Sequence, residues 1–310
     1  MATRFELVLH GADPTRLRAA GEEALDEITR AEGMLSLYRP ESEIAHLNAR
    51  AAREPVRVSP LVFDLLLKAR ELSNETDGAF DISAGPLTRA WGFVQGVPNR
   101  PSGEELERCR SITGMPLVQL EPSDRTVRFH RAGVMIDLGA IGKGYAVDRA
   151  IEVLREAGVA SALLHAGTST VCTIGSPPGS GSWKVGIEDP RDQSMPGADN
   201  MLVRLQTVAS TGREKPQKKL LLELELCDEA LSVSSPHGKY FASEGVVYGH
   251  VVDPRNGMPV RSSATAVVVL PSATESDALS TALLVLGEKG LSKLVRIRPG
   301  IRLWLEGATA

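Results

Sequence analysis

The 310-residue chain is short of the features that most directly assign a function. It has three cysteines, Cys109, Cys172 and Cys227, far apart and with no Cys-x-x-Cys pair, which argues against a disulfide framework and a zinc knuckle. They read as small buried hydrophobes or free thiols. Basic residues are in no excess: the formal net charge is −4 and the isoelectric point near 5.9, so no general positive field exists to hold nucleic acid or an anionic membrane. No run of 18 apolar residues marks a transmembrane helix, and no charged and apolar leader precedes the first strand-like segment. A cytoplasmic location is expected, an exported form with a trimmed leader being the alternative. Also missing are a Gly-x-x-x-x-Gly-Lys-Ser/Thr P-loop, a Gly-x-Gly-x-x-Gly turn, a Gly-x-Ser-x-Gly elbow beside Ser169, Ser234 or Ser235, metal-ligand spacing around His165 or His237, and any fixed-period repeat.

What is present suits a large folded core. Hydrophobic residues make up 42% and charged residues 24%, so disorder is not expected. Phe5 to His10 alternates like a strand, and Asp13-Pro14-Thr15 opens a helix bearing Leu17, Ala20, Ala24 and Ile28. Ser42 caps a short helix with Ile44 and Leu47, and Ser59-Pro60 opens a stronger one. Residues 77–103, rich in glycine and proline yet apolar, read as a packed loop. Strand-like segments at 117–120, 126–129 and 134–137 lead to a glycine-rich turn and a helix ending near Gly158. Further strands are expected at 161–165, 170–174, 183–187, 201–207, 220–226, 230–234, 246–252 and 264–270, then a helix from about 274 to 286 and a strand near 301–305. Without strict βαβ alternation, the pattern predicts an α+β fold with mixed or antiparallel sheets and packed helices. One domain over 1–310 is expected, with an exposed insertion near 190–220.

Three segments are chemically suggestive. Asp277 and Thr281, four apart on the predicted helix, put a carboxylate and a hydroxyl on one face, two hard oxygens suited to Mg²⁺ bridging a pyrophosphate. The pair also fits a plain helix start, with Ser272, Thr274 and Ser276 as caps. Leu138-Gly139-Ala140-Ile141-Gly142-Lys143-Gly144-Tyr145 allows close backbone approach and sets a cation at a helix N-terminus, a phosphate cradle or merely a tight turn; Asp148 either orients Lys143 or pairs on the surface. His250 ends the strand-like Val246-Val247-Tyr248-Gly249 run before the turn Asp253-Pro254-Arg255-Asn256-Gly257. It has the right chemistry to take a proton from a hydroxyl near neutral pH, though a lone histidine is more often structural. Asp253 either holds the imidazole tautomer or begins the turn. Tyr38 and Phe80 are aromatic candidates for stacking on a planar ring or for the core.

In order and spacing these segments resemble the FAD:protein FMN transferase (ApbE) family. The matching blocks are Met1-Ala2-Thr3, Ser36-Leu37-Tyr38 through Ser42-Glu43-Ile44, Gly78-Ala79-Phe80-Asp81 through Gly85-Pro86-Leu87 and Trp91-Gly92-Phe93, Asp137 through Asp148, Trp183 through Pro190, His250 through Gly257, and Asp277 through Leu283. The resemblance covers nearly the whole chain except roughly 190–220. It implies an ApbE-like, T-fold-related architecture and a Mg²⁺-dependent flavinylation reaction, in which FMN passes from FAD to a Ser or Thr hydroxyl of a client protein and AMP is released. It implies metal ligands at the Ala140 carbonyl, the Asp277 carboxylate and the Thr281 hydroxyl, flavin-nucleotide contacts at Met1, Tyr38, Ala79, Phe80, Asp81 and Lys143, and activation of the acceptor by His250. The sequence departs from the family's Gly-Gly-Asp/Asn turn at Ala166-Gly167-Thr168 and from its Thr-Ser-Gly at Val233-Ser234-Ser235. Two other readings stay open: a Mg²⁺-dependent FAD pyrophosphatase giving FMN and AMP, in which water replaces the client hydroxyl at the same metal site, and, motivated by those departures, a flavin-binding or assembly protein without catalysis.

Overall fold

The computed structural model describes residues 3–94, 96–167, 169–189, 203–205, 219–236, 240–243, 245–261 and 264–307. Met1, Thr168, His237 and most of the expected insertion lie outside them. The chain opens with β1 (Phe5–Leu9) and α1 (Pro14–Leu35), whose first turn is capped by the Asp13 carboxylate accepting from the Thr15 and Arg16 amides. Next come α2 (Glu43–Arg50), capped by Ser42, β2 (Val56–Arg57), and α3 (Pro60–Glu75), capped by Ser59 with proline at its first position.

The segment 77–103 is not a continuous loop. It contains α4 (Gly85–Ala90) and runs into α5 (Gly103–Ser111), which Ser102 caps. Gly85 begins α4 because residue 85 lies against the Met135 backbone, where a Cβ would sit 2.6 Å from the carbonyl oxygen. The antiparallel pair β3 (Val118–Glu121) and β4 (Thr126–Phe129) joins β2 in a small sheet. Residues 134–137, expected as a strand, form only an isolated bridge from Met135 to Ala84.

From there α6 (Gly142–Glu156) leads to β5 (Ala162–Ala166), β6 (Thr170–Ile174), β7 (Trp183–Glu188), β8 (Val203–Leu205), β9 (Leu220–Leu226), β10 (Ala230–Ser234), β11 (Tyr240–Ser243), β12 (Val246–Gly249), β13 (Thr265–Leu270), α7 (Ala273–Leu286), α8 (Glu288–Ile297) and β14 (Arg302–Glu306). The main sheet has the order β1-β5-β6-β10-β13-β14, with every pairing antiparallel. The β8-β7-β9 sheet packs on it, while the β11-β12 hairpin packs through Phe241 and Tyr248 with Leu87 and Trp91. The expected α+β class, with antiparallel sheets and packed helices, is the one observed.

Strand alternation divides the core into layers. Leu164, Cys172 and Ala230 face α1 and α6, while Ala266, Val268 and Leu270 face Ala278, Leu279, Ala282 and Leu283 of α7. On the opposite face Leu163, Val171, Leu231, Val233, Val267 and Val269 meet Trp183, Val185, Ile187, Leu224 and Leu226 of the β7-β9 sheet. Because both faces are covered, β5, β6 and β13 are buried along their whole length. No cysteine forms a disulfide, and no helix among the described residues is long and apolar enough to cross a membrane.

Candidate functional site

Helices α6 and α7 begin side by side, and their N-terminal turns build the site. The Asp148 carboxylate of α6 ties α7 down, accepting from the Ala273 and Thr274 amides at 2.7 and 2.8 Å and from the Ser272 and Thr274 hydroxyls at 2.8 and 2.6 Å. It is therefore a cross-helix cap, satisfying amides at the positive end of the α7 dipole, and not the partner of Lys143. Lys143 pairs instead with Asp277, its Nζ donating to Oδ1 at 2.6 Å, while the Gly144 amide donates to Oδ2 at 3.0 Å. The helices come this close because residue 144 is glycine: a Cβ there would sit 2.2 Å from the Ala273 carbonyl oxygen. Asp277 is only 6% exposed.

A cavity of about 460 Å³ opens over this pair, within the range of small-molecule sites. Tyr38, Ala79, Phe80, Asp81, Ala140, Lys143, His250, Asp277 and Thr281 all line it. Of the predicted site residues, Met1 alone lies outside the described residues. These residues come from loops and helices widely separated in sequence, and the fold brings them to one space.

Their local roles differ. Tyr38 is 56% exposed at the cavity wall and offers an accessible ring, whereas Phe80 is 2% exposed and belongs to the main core, so it forms a wall of the cavity. The Asp81 carboxylate fixes its own loop, accepting from the Ser83 amide and hydroxyl at 2.8 and 2.6 Å and from the Met115 amide at 3.0 Å. His250, beyond the end of β12, lies edge-on to Phe93 with ring centroids 6.5 Å apart. Asp253 organises the following turn, gripping Arg255 through Nε and Nη2, both at 2.8 Å. The turn needs Gly257, whose φ is +75°.

Further cavity residues are not among the contacts that the resemblance implies. Asp137 lines the cavity; burial pushes its carboxyl above the usual range, against the opposing hydrogen bonds of the Gly139 amide and the Thr88 hydroxyl. Tyr38 is likewise raised, by partial burial and then by the Asp137 carboxylate. An acidic residue just before a glycine-rich turn was the available signal for Asp137. Ser234 also lines the cavity and bonds Ser280 at 2.8 Å and Thr281 at 3.3 Å. Val233 and Ser235, where the sequence departs from the family pattern, also line the cavity. Val233 packs its side chain into the layer facing the β7-β9 sheet, away from α7. Ser235 is not among the non-glycine residues with positive φ, so no glycine is required there.

Comparison with known proteins agrees over the full length. The sequence model of the ApbE family matches residues 1–305. The FAD:protein FMN transferase of Treponema pallidum is 30% identical over 300 residues, covering 92% of this chain and 76% of that protein. Its namesake from Vibrio cholerae is 28% identical over 281 residues, covering 90% and 75%. Among solved structures, the ApbE protein of Thermotoga maritima gives a TM-score of 0.81 at 28% identity, covering 99% of this chain and 92% of its own. The apo form of Pseudomonas stutzeri flavinyl transferase ApbE gives 0.78 at 26%, with the same coverage. This chain belongs to the ApbE family.

Proposed function

We propose that the protein is a Mg²⁺-dependent transferase that moves FMN from FAD to a serine or threonine hydroxyl of a client protein and releases AMP. The observation that carries this reading is the single cavity joining the Lys143–Asp277 pair to His250 and Tyr38. A nucleotide pyrophosphate calls for the first, a hydroxyl nucleophile for the second, and a flavin ring for the third. The family's curated relatives bear the name of this activity.

The oxygen donors suit Mg²⁺. Among the described residues no three His, Cys, Asp or Glu side chains cluster as an all-protein metal cage. Mg²⁺ characteristically takes one or two carboxylates and shares the rest of its shell with phosphate and water. Asp277 supplies a carboxylate whose two oxygens each accept one protein hydrogen bond and keep further lone pairs. The Thr281 hydroxyl has protein acceptors in the Asp277 carbonyl at 3.4 Å and Ser234 Oγ at 3.3 Å, so its proton can be turned inward and its lone pairs toward the cavity. With the Ala140 carbonyl, these three would hold the ion. When bound, Mg²⁺ would offset charge on the pyrophosphate.

The chain's own groups supply the remainder. Lys143 balances negative charge on the phosphates as the bond to AMP weakens, the electrostatic contribution that dominates phosphoryl transfer. Tyr38 and the Ala79–Asp81 loop bind and orient the flavin portion. His250 takes the proton from the client hydroxyl as its oxygen bonds to the FMN-side phosphorus. The bond from that phosphorus to the bridging oxygen breaks, and AMP departs with that oxygen. Partial enclosure limits competition from water.

The test is a product balance. Protein, FAD and Mg²⁺ are incubated with and without a candidate acceptor, and AMP and free FMN are quantified. Acceptor-dependent AMP without matching free FMN supports transfer. Equal AMP and free FMN independent of acceptor would indicate a pyrophosphatase, and neither product a binding protein.

A further inference from the structure

Beneath the cavity, Thr170 of β6 and Ser232 of β10 are paired in register, both fully buried and on the side of the sheet covered by α7. Each hydroxyl has one proton and the Lys143 ammonium at the end of the row can only donate, which together fix the direction of a row of hydrogen bonds. Ser276 donates its proton to the Ala273 carbonyl at 3.1 Å. Its oxygen is left to accept from Ser232 at 2.9 Å. Ser232, its proton now used, accepts from Thr170 at 3.3 Å. Thr170 therefore meets Lys143 with lone pairs only, and Lys143 Nζ donates to it at 2.7 Å.

Lys143 has three N–H donors. One points to Thr170 and one to Asp277 Oδ1 at 2.6 Å. The third has no protein acceptor among the described residues, and Lys143 lines the cavity. Lysine is a flexible residue with much rotamer freedom to lose when fixed. Two anchors, set at the ends of different strands and helices, remove that freedom before a ligand arrives.

We propose that Thr170, polarised through Ser232 and Ser276, is a positioning residue for nucleotide binding, holding the Lys143 ammonium so that its remaining N–H is offered to a phosphate of FAD. The inference rests on the FAD-binding part of the proposed function. A threonine here does more than fill space: valine would fit the same volume but present no lone pair, leaving Lys143 pinned at one point.

The experiment is equilibrium titration of the full chain with FAD and Mg²⁺, without client, followed by flavin fluorescence. Thr170→Val is expected to raise Kd about tenfold, the scale of one hydrogen bond to a charged group. Thr170→Ser should return to within about threefold of the original protein, since it restores the acceptor. In a Lys143→Met background, Thr170→Val should have no further effect, the signature of residues acting through one another. Should Thr170→Val not fold, Ser232→Ala tests the same row from its middle, with an expected loss of about threefold that also vanishes in the Lys143→Met background. Unchanged binding by Thr170→Val, no recovery in Thr170→Ser, or an equal loss with and without Lys143 would overturn the inference while leaving the transferase reading intact. If the unsubstituted protein takes up no FAD, that reading falls, and this inference with it.

Discussion

The Gly144 amide donates to the Asp277 carboxylate at 3.0 Å, a contact possible only because residue 144 carries no side chain. A Cβ on residue 144 would lie 2.2 Å from the Ala273 carbonyl oxygen and 2.8 Å from Asp277 Cβ. Gly144→Ala is therefore expected to push α6 and α7 apart, costing about 1–3 kcal/mol as overpacking does. Urea denaturation measures this, and Mg²⁺-dependent turnover should fall with it, because Asp277 and Ala140 belong to the two parts being separated. An unshifted midpoint would mean the helices have room to spare.

Asp277→Ala should cost both activity and stability. Removing one member of a nearly buried ion pair strands the other, at about 3–5 kcal/mol, and here the Gly144 amide also loses its acceptor. The neutral double variant Asp277→Asn with Lys143→Met is expected to recover most of the stability and none of the transfer. Denaturation curves beside rates of AMP release separate these two consequences. Transfer by the double variant would remove Asp277 from the metal site.

His250→Ala is expected to leave FAD affinity within about twofold and to slow transfer about 10²- to 10⁴-fold, the usual span of a lost general base. The binding titration and the transfer rate are measured on the same preparation. A large loss of FAD affinity would make His250 a nucleotide contact instead.

Asp137 gives a pH signature. Burial raises its folded-state pKa above the unfolded value, so the folded chain holds the proton more tightly. The associated stability is fully present below the ordinary carboxylate range and is lost as pH rises through the raised pKa. Asp137→Asn, which does not ionise, should therefore gain on the original protein as pH rises from acidic to neutral. Thermal melting of both across that interval checks the sign, and a variant that lost ground to the original protein toward neutral pH would contradict it.

Much of this architecture is legible in the sequence where local signals are strong. Asp13, Ser42, Ser59 and Ser272 each cap the helix expected to follow them. The strands at 170–174, 220–226 and 230–234 have the predicted bounds. The failures are tertiary in origin. Helix α4 is only six residues long and is set in a glycine- and proline-rich stretch, so its periodicity is too brief to register. Residues 134–137 have strand-like composition but find only one bridge. For the site, the block pattern singled out Lys143, His250, Asp277 and Thr281, which share one cavity, but not the partnerships: no spacing rule tells that Asp148 caps α7 or that Thr170 holds Lys143. Those pairings depend on helices and strands more than a hundred, or nearly thirty, residues apart being folded together.

The central claim is transfer of FMN to a protein hydroxyl, and the intact mass of the acceptor tests it most directly. After incubation with this protein, FAD and Mg²⁺, the acceptor should gain the mass of an FMN phosphoester, in step with one AMP released, and the gain should vanish when its Ser or Thr is replaced by Ala or when Mg²⁺ is chelated. An acceptor of unchanged mass beside abundant AMP and free FMN would contradict the account.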